Sequence, residues 1–324
     1  MGKTIRGTER NDTLQQDGRV EVRIFGLGGN DRIGLDRDDD NGGGNFVDAG
    51  KGNDTVVNVF EGGNRIILGA GNDTYFGTGF SLLNGLDVVD GGAGNDRFFV
   101  ETLLSTYKGG AGKDIFFSNG HKNDFIGGNG KDTISYQFRH EGSVVGDEGV
   151  TISLGENGAL TGSNSSESLV SIENAIGSLN SDIVAGSSVA NTLMGLGGDD
   201  DLHGLGGNDI LIGGLGSDFL FGGTGADRFV FENTIDSPQG AADQIKDFSR
   251  AAGDVIDLSA IDADVNTTGN QQFNFIGSAA FSGNAGEVRF AGGILFGQTN
   301  GDAGFDMVIG VDNTGSMQAS DFIL

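Results

Sequence analysis

From Asp182 onward an acidic or amide residue returns every nine positions, at Asp182, Asn191, Asp200, Asp209, Asp218 and Asp227. Two residues after each stands an apolar side chain: Val184, Leu193, Leu202, Leu211, Leu220 and Phe229. Random loops do not hold such a phase. The unit reads glycine-rich turn, Asp, x, apolar, x, with its clearest copies at Gly213-Gly214-Leu215-Gly216-Ser217-Asp218 and Gly222-Gly223-Thr224-Gly225-Ala226-Asp227. A chain that must turn this often cannot wrap a thick globular core. With 62 glycines in 324 residues and 36% hydrophobic content, the expectation is a slender, repetitive one.

The same register runs earlier. Val89, Phe98, Tyr107, Phe116, Phe125 and Ile134 are also nine apart, preceded two positions earlier by Asp87, Asp96, Ser105, Asp114, Asn123 and Asp132. Full glycine-rich turns occur here only at Asp96, Asp114 and Asp132, eighteen residues apart, and the turns between them are degraded. Further upstream, GTERNDTL ending at Leu14 and the turns at Asp31, Asp54 and Asp73 repeat the theme with slips in spacing, which imply bulges or longer loops. The row Phe98, Tyr107, Phe116, Phe125 reads as core rather than as a sugar-stacking platform.

Glycines permit positive-φ turns and expose backbone carbonyls, and an aspartate adds a hard oxygen ligand, a combination that suits calcium rather than a transition metal. The pattern resembles the RTX (repeats-in-toxin, hemolysin-type) calcium-binding nonapeptide family, G-G-x-G-x-D-x-U-x, over most of residues 7 to 231. The resemblance implies an all-β fold, a right-handed parallel β-roll or β-solenoid in which two nonapeptides make one eighteen-residue coil. Turns eighteen apart then stack on one edge and share ions. The implied calcium ligands are Asp96, Asp114, Asp132, Asp182, Asp200, Asp209, Asp218 and Asp227, with Asp31, Asp54 and Asp73 upstream. Backbone oxygens would come from Gly91, Gly94, Gly109, Gly112, Gly127, Gly130, Gly195, Gly204, Gly213, Gly216, Gly222 and Gly225. Both edges of the C-terminal array should hold calcium, whereas the edge of Asp87, Ser105 and Asn123 should be mostly empty.

Between Ser135 and Gly177 the glycine code lapses into alternating stretches, Gly149–Leu154 and Leu169–Asn174, that read as strands. They resemble the connector that precedes fresh repeat blocks in RTX proteins. Residues 228 to 324 look like the C-terminal module of serralysin-type secreted proteins, which caps the roll and carries an uncleaved type I secretion signal; Asp321-Phe322-Ile323-Leu324 matches the ending of such signals. In that family the stretch equivalent to Asp247 and Asp254 lies near a further calcium. The expected organisation is an irregular RTX β-roll over 1–134, a connector over 135–180, a regular roll over 181–231 and a serralysin-like C-terminal β cap over 232–324.

The 46 acidic against 19 basic residues, net −27, disfavour nucleic acid and anionic membranes. No run approaches the ~18 apolar residues of a membrane span, and MGKTIRGTERNDTL lacks the apolar core of a secretory signal. Cysteine is absent, so no disulfide framework is possible. Neither H-E-x-x-H nor G-x-S-x-G occurs, the histidines His121, His140 and His203 are scattered, and Gly2-Lys3-Thr4 has no upstream glycine loop. Outside the register, Asp36, Asp38, Asp39 and Asp40, and Glu141, Asp147 and Glu148 near His140, read as solvated loops or an extra calcium site before catalysis. A T-x-N ice-binding ladder fails, because only Thr224 holds the Thr position. The sequence therefore predicts a secreted protein folded by extracellular calcium, handled by type I secretion machinery, with a non-catalytic surface or matrix role. A glycan-active enzyme acting on extracellular polysaccharide is the first alternative, and a membrane-active factor the second.

Overall fold

The computed structural model describes residues 3–16, 21–35, 44–59, 62–78, 86–139, 149–161, 165–302 and 304–324. Among them there is no α-helix; strands are joined by glycine turns and two short 3-10 segments. The fold is a parallel β-solenoid. The chain forms two compact units, Met1–Gly146 with Asn157–Asn174, and Asp147–Glu156 with Ala175–Leu324. The stretch 135–180 thus contributes to both.

In the first unit one parallel ladder stacks Lys3–Arg6, Val22–Phe25, Phe46–Lys51, Arg65–Ala70, Val88–Ala93, Thr106–Gly112, Asp124–Gly130 and Ser166–Val170. The other stacks Thr13–Gln15, Arg32–Leu35, Thr55–Asn58, Thr74–Thr78, Arg97–Glu101, Ile115–Ser118 and Thr133–Ser135. Period-two alternation sends every second side chain inward. Register then aligns like with like: Ile24, Val47, Ile66, Val89, Tyr107 and Phe125 form one column and Ile33, Val56, Tyr75, Phe98, Phe116 and Ile134 the other. All of these side chains are fully buried. Phe98 and Phe116 stack with ring centroids 4.8 Å apart, so the predicted row is core. The three core tyrosines turn their hydroxyls to polar partners: Tyr107 meets Thr102 Oγ1 at 2.6 Å, Tyr75 accepts from Asn58 Nδ2 at 3.2 Å, and Tyr136 donates to Glu167 Oε2 at 2.9 Å.

The second unit repeats the plan. Ile152, Val184, Leu202, Leu220, Ile245 and Val311 make one inward column, and Leu193, Leu211, Phe229, Ile256 and Phe322 the other. After Met307–Val311 the ladder changes direction, because Ile294–Gln298 and Glu287–Ala291 form an antiparallel hairpin on it. Gly292 and Gly293, at φ +63° and +83°, supply the two positive-φ residues that such a tight hairpin needs. This hairpin closes the parallel ladder with antiparallel strands, as expected of a cap.

Candidate metal centre

The turns of each coil form edges, and every edge carries a chain of side-chain to backbone hydrogen bonds. In the first unit Asp31, Asp54, Asp73, Asp96, Asp114 and Asp132 stand in one column. Each accepts, through Oδ1, the backbone N–H of the column residue one coil earlier: Asp12 to Asp31, Asp31 to Asp54, Asp54 to Asp73, Asp73 to Asp96, Asp96 to Asp114 and Asp114 to Asp132, all at 2.7–2.8 Å. Glu173 Oε2 takes the last N–H, from Asp132, at 2.9 Å. The asparagines of the G-N-D turns form a second chain of opposite polarity, in which Asn30, Asn53 and Asn72 Oδ1 accept from the N–H groups of Asn53, Asn72 and Asn95.

The other aspartate oxygen is left over. Oδ2 of Asp31, Asp54, Asp73, Asp96, Asp114 and Asp132 is buried with no hydrogen-bond partner. A buried anionic oxygen in that state is costly unless a cation meets it. In the turns of Asp31, Asp96, Asp114 and Asp132 a glycine five residues earlier faces it, whereas Ala49 and Leu68 hold that position before Asp54 and Asp73. A Cβ on Gly91 or Gly109 would strike Oδ2 of Asp96 or Asp114 and lie 2.5 and 2.7 Å from the carbonyl oxygens of Gly109 and Gly127 on the next coil. A carboxylate and a carbonyl from successive coils therefore converge on a space that only glycine leaves open, at the 2.3–2.6 Å scale of calcium–oxygen bonds. The fourth-position glycines have a different role. Gly94, Gly112 and Gly130 sit at φ +133° to +145° and pass against the carbonyl of the preceding coil, where no side chain fits.

In the second unit Asp200 accepts from Asp182 N–H, Asp218 from Asp200 and Asp243 from Asp218, at 2.7–2.9 Å. On the opposite edge Asp209 accepts from Asn191, Asp227 from Asp209 and Asp254 from Asp227, at 2.7–3.0 Å. Oδ2 of Asp200, Asp218, Asp243 and Asp227 lacks a partner, and the Cβ positions of Gly195, Gly204, Gly213 and Gly222 fall against the carboxylates of Asp200, Asp209, Asp218 and Asp227. Gly216 and Gly225, at φ +145° and +136°, match the fourth-position glycines above.

The head of each column is different. Asp12 Oδ2 accepts from the N–H and hydroxyl of Thr8, Asp182 from those of Ser178, and Asn191 from those of Ser187. A hydroxyl residue four positions upstream bonds each of these side chains, and the partnerless carboxylate oxygens start one coil later. Asp247 also lies off the column; its two oxygens accept the N–H groups of Gly222 and Gly223 at 2.8 and 2.9 Å. Asp254 ends its column, with Oδ2 bound to Ser249 N–H.

The edge of Asp87, Ser105 and Asn123 carries the same chain without the open oxygens. Val22 N–H donates to Asn45, Asn45 to Asn64, Asn64 to Asp87, Asp87 to Ser105 Oγ and Ser105 to Asn123. Asp87 Oδ2 accepts from Asn58 Nδ2 at 2.7 Å. Glu167 closes the edge, accepting from Ser118 Oγ, Tyr136 Oη and Asn123 Nδ2, and burial pushes its carboxyl up to about 7.

Burial, reinforced by neighbouring carboxylates, raises the open aspartates above the ordinary 3.8. Asp54 and Asp132 are pushed to about 6, Asp73 and Asp96 to about 7, Asp218 to about 6, and Asp200 and Asp243 to about 9. The backbone N–H at each Oδ1 opposes the rise without cancelling it. Among the described residues no three acidic or histidine side chains gather as a metal cluster. His203 stacks on Phe221 at 4.4 Å, and His121 lies in a turn of the edge without open oxygens. Asp36, Asp38, Asp39, Asp40, His140, Glu141, Asp147 and Glu148 lie outside the described residues.

Asp243 escaped the nine-residue count because it follows Asp218 by 25 residues, though Asp243-Gln244-Ile245 keeps the D-x-apolar signature. Serine or threonine four residues before a column head was likewise an unread signal.

The family described as Peptidase M10 serralysin C terminal matches residues 128–324. The chain belongs to the serralysin C-terminal family. Ahead of and overlapping that module, the RTX calcium-binding nonapeptide repeat (4 copies) matches residues 61–81, 83–101 and 106–134. This serralysin-type chain therefore carries hemolysin-type calcium-binding repeats. Among solved structures, the chain is similar to the AlgE6R3 subunit of the Azotobacter vinelandii mannuronan C5-epimerase, at 28% identity over 44% of this chain and 78% of that one, with a TM-score of 0.32. No curated protein matches. Among the described residues no helix is long and apolar enough to cross a membrane.

Proposed function

We propose that the chain is a secreted calcium-binding protein whose folding is triggered by extracellular calcium, and that its folded role is non-catalytic binding or structure at the cell surface or in the matrix. The observation that carries this reading is the row of buried, partnerless Oδ2 atoms, which at Asp96, Asp114 and Asp200 are set against a glycine carbonyl of the next coil. The ligands are Asp31, Asp54, Asp73, Asp96, Asp114, Asp132, Asp200, Asp218, Asp227 and Asp243, with Asp209 included by register. Calcium supplies positive charge between stacked carboxylates; every other part of the turn is already built from the chain's own hydrogen bonds.

The mechanism is linkage. An ion that binds only the folded chain stabilises it by RT ln(1 + [L]/Kd), and extracellular oxygen sites have Kd values of roughly 10⁻⁴ to 10⁻³ M. At low calcium the stacked charges oppose coil stacking, which leaves the chain extended for a type I export channel. Outside the cell, binding closes the solenoid one coil after another. Titrating calcium into chelated protein, with circular dichroism and hydrodynamic radius as readouts and magnesium as control, should give cooperative, calcium-selective folding. Indifference of both readouts to chelator would overturn the reading.

A further inference from the structure

The outer face of the first unit's longer ladder carries a feature that calcium binding does not use. Arg6, Arg23 and Arg65 are exposed there, interleaved with Phe25 and Phe46. Register pairs Arg6 with Phe25, Arg23 with Phe46, and Phe46 with Arg65. The guanidinium of Arg6 lies 5.1 Å from the Phe25 centroid, and that of Arg23 lies 5.7 Å from Phe25 and 5.1 Å from Phe46. The rings hold these guanidinium groups against the sheet. No carboxylate among the described residues forms an ion pair with Arg6, Arg23 or Arg65.

We propose that this stripe binds an extended acidic polysaccharide bearing one carboxylate per sugar. The inference goes beyond calcium-triggered folding and names the partner of the surface role proposed above. Guanidinium groups recognise carboxylates through paired N–H donors, and phenylalanine edges and faces suit the apolar side of a sugar ring. Strands stack ~4.8 Å apart, so Arg23 and Arg65, two rungs apart, stand about 10 Å from each other along the stack. That is the scale of alternate carboxylates on an extended polyuronate crossing the strands. The stripe is narrow: Asp48 flanks it in register with Phe25, and the same face carries Asp90 and Asp124 further on. With a net charge of −27 behind it, the face favours a single sparsely charged chain over a dense polyphosphate or a membrane, which would meet those acids as well.

The test uses the full chain in calcium, with oligogalacturonates too short to gel. Binding that weakens with salt is expected, and Arg23→Gln and Arg65→Gln should each reduce affinity about tenfold. Arg97→Gln, on the other ladder, should leave it unchanged. Circular dichroism and the calcium response of each variant report folding separately, so a failure of calcium-triggered folding is read independently of sugar binding. Absence of oligogalacturonate binding, equal binding of neutral cello-oligosaccharides, wild-type affinity in Arg23→Gln and Arg65→Gln, or preference for single-stranded DNA or phosphatidylglycerol vesicles would each overturn the proposal.

Discussion

Replacing Asp96 by asparagine should move stability in opposite directions with and without calcium. Asp96 is fully buried; its Oδ1 accepts Asp73 N–H at 2.8 Å and its Oδ2 has no partner. Holding it ionised in chelator is what the rise from 3.8 to about 7 measures, a span worth ~4 kcal/mol, which solvent screening at the turn's rim reduces to ~2 kcal/mol. The amide of D96N would keep the Oδ1 acceptor and present its NH2 to the carbonyl side of the cradle, much as Asn123 Nδ2 donates to the Thr102 carbonyl on the neighbouring edge. At pH 8 in chelator the D96N urea midpoint should therefore rise by about 1 M, taking a slope of ~2 kcal/mol/M. If wild type is unfolded there, the gain appears as folding of D96N at a higher pH. In saturating calcium D96N should be the less stable chain, having lost a charged ligand. Asp96→Ala, which orphans Asp73 N–H, should be destabilised in both media by about 1–3 kcal/mol. A D96N that loses as much stability in chelator as in calcium would refute the idea that the second oxygen is an unmet charge.

Acid should partly replace calcium. The folded values of Asp73 and Asp96, about 7, and of Asp200 and Asp243, about 9, lie above the unfolded 3.8, so the folded chain holds protons more tightly. The resulting stability is full below 3.8 and is lost as pH rises through 6 to 9; ellipticity of chelated protein that fails to increase from pH 9 to 5 would contradict this. Gly109→Ala fills the oxygen cradle at an ordinary backbone conformation and should chiefly weaken calcium binding, whereas Gly112→Ala, at φ +139° against the Gly94 carbonyl, should also cost about 1–3 kcal/mol in calcium by calorimetry. Leu196 occupies a left-handed turn position at φ +84°, so Leu196→Gly should gain ~1 kcal/mol, a rise of about 2–4 °C in Tm.

The period of nine was enough to anticipate the solenoid and to place Phe98 and Phe116 in its core, because a parallel ladder aligns residues one coil apart. It also put Asp96, Asp114 and Asp132 on one edge. The slips upstream concealed that Asp31, Asp54 and Asp73 continue that same column. Their extra residues enter ahead of Asn45, Asn64 and Asp87, on the edge without open oxygens, so the aspartate turns themselves keep their spacing. What spacing could not reveal was the use of individual oxygens. Asp182 and Asp247 carry the right side chain, yet Ser178 and the Gly222–Gly223 backbone already take their oxygens. Asp243 joins its column only because a loop folds back, a tertiary event that no local period records.

The hydroxyl-capped heads give the stack a starting point that can be read without coordinates. Thr8, Ser178 and Ser187 each follow a glycine and precede by four residues the first acidic or amide member of a column, Asp12, Asp182 or Asn191. Glu173, Ser237 and Asp254 supply the terminal acceptors. Start and stop are thus chemically distinct from the repeating middle, and the middle obeys one rule wherever it occurs. A coil of eighteen residues can then be gained or lost between head and tail while every backbone donor on the edge keeps an acceptor. Length becomes a free variable of such a chain, set by duplication, and the number of open carboxylates scales with it.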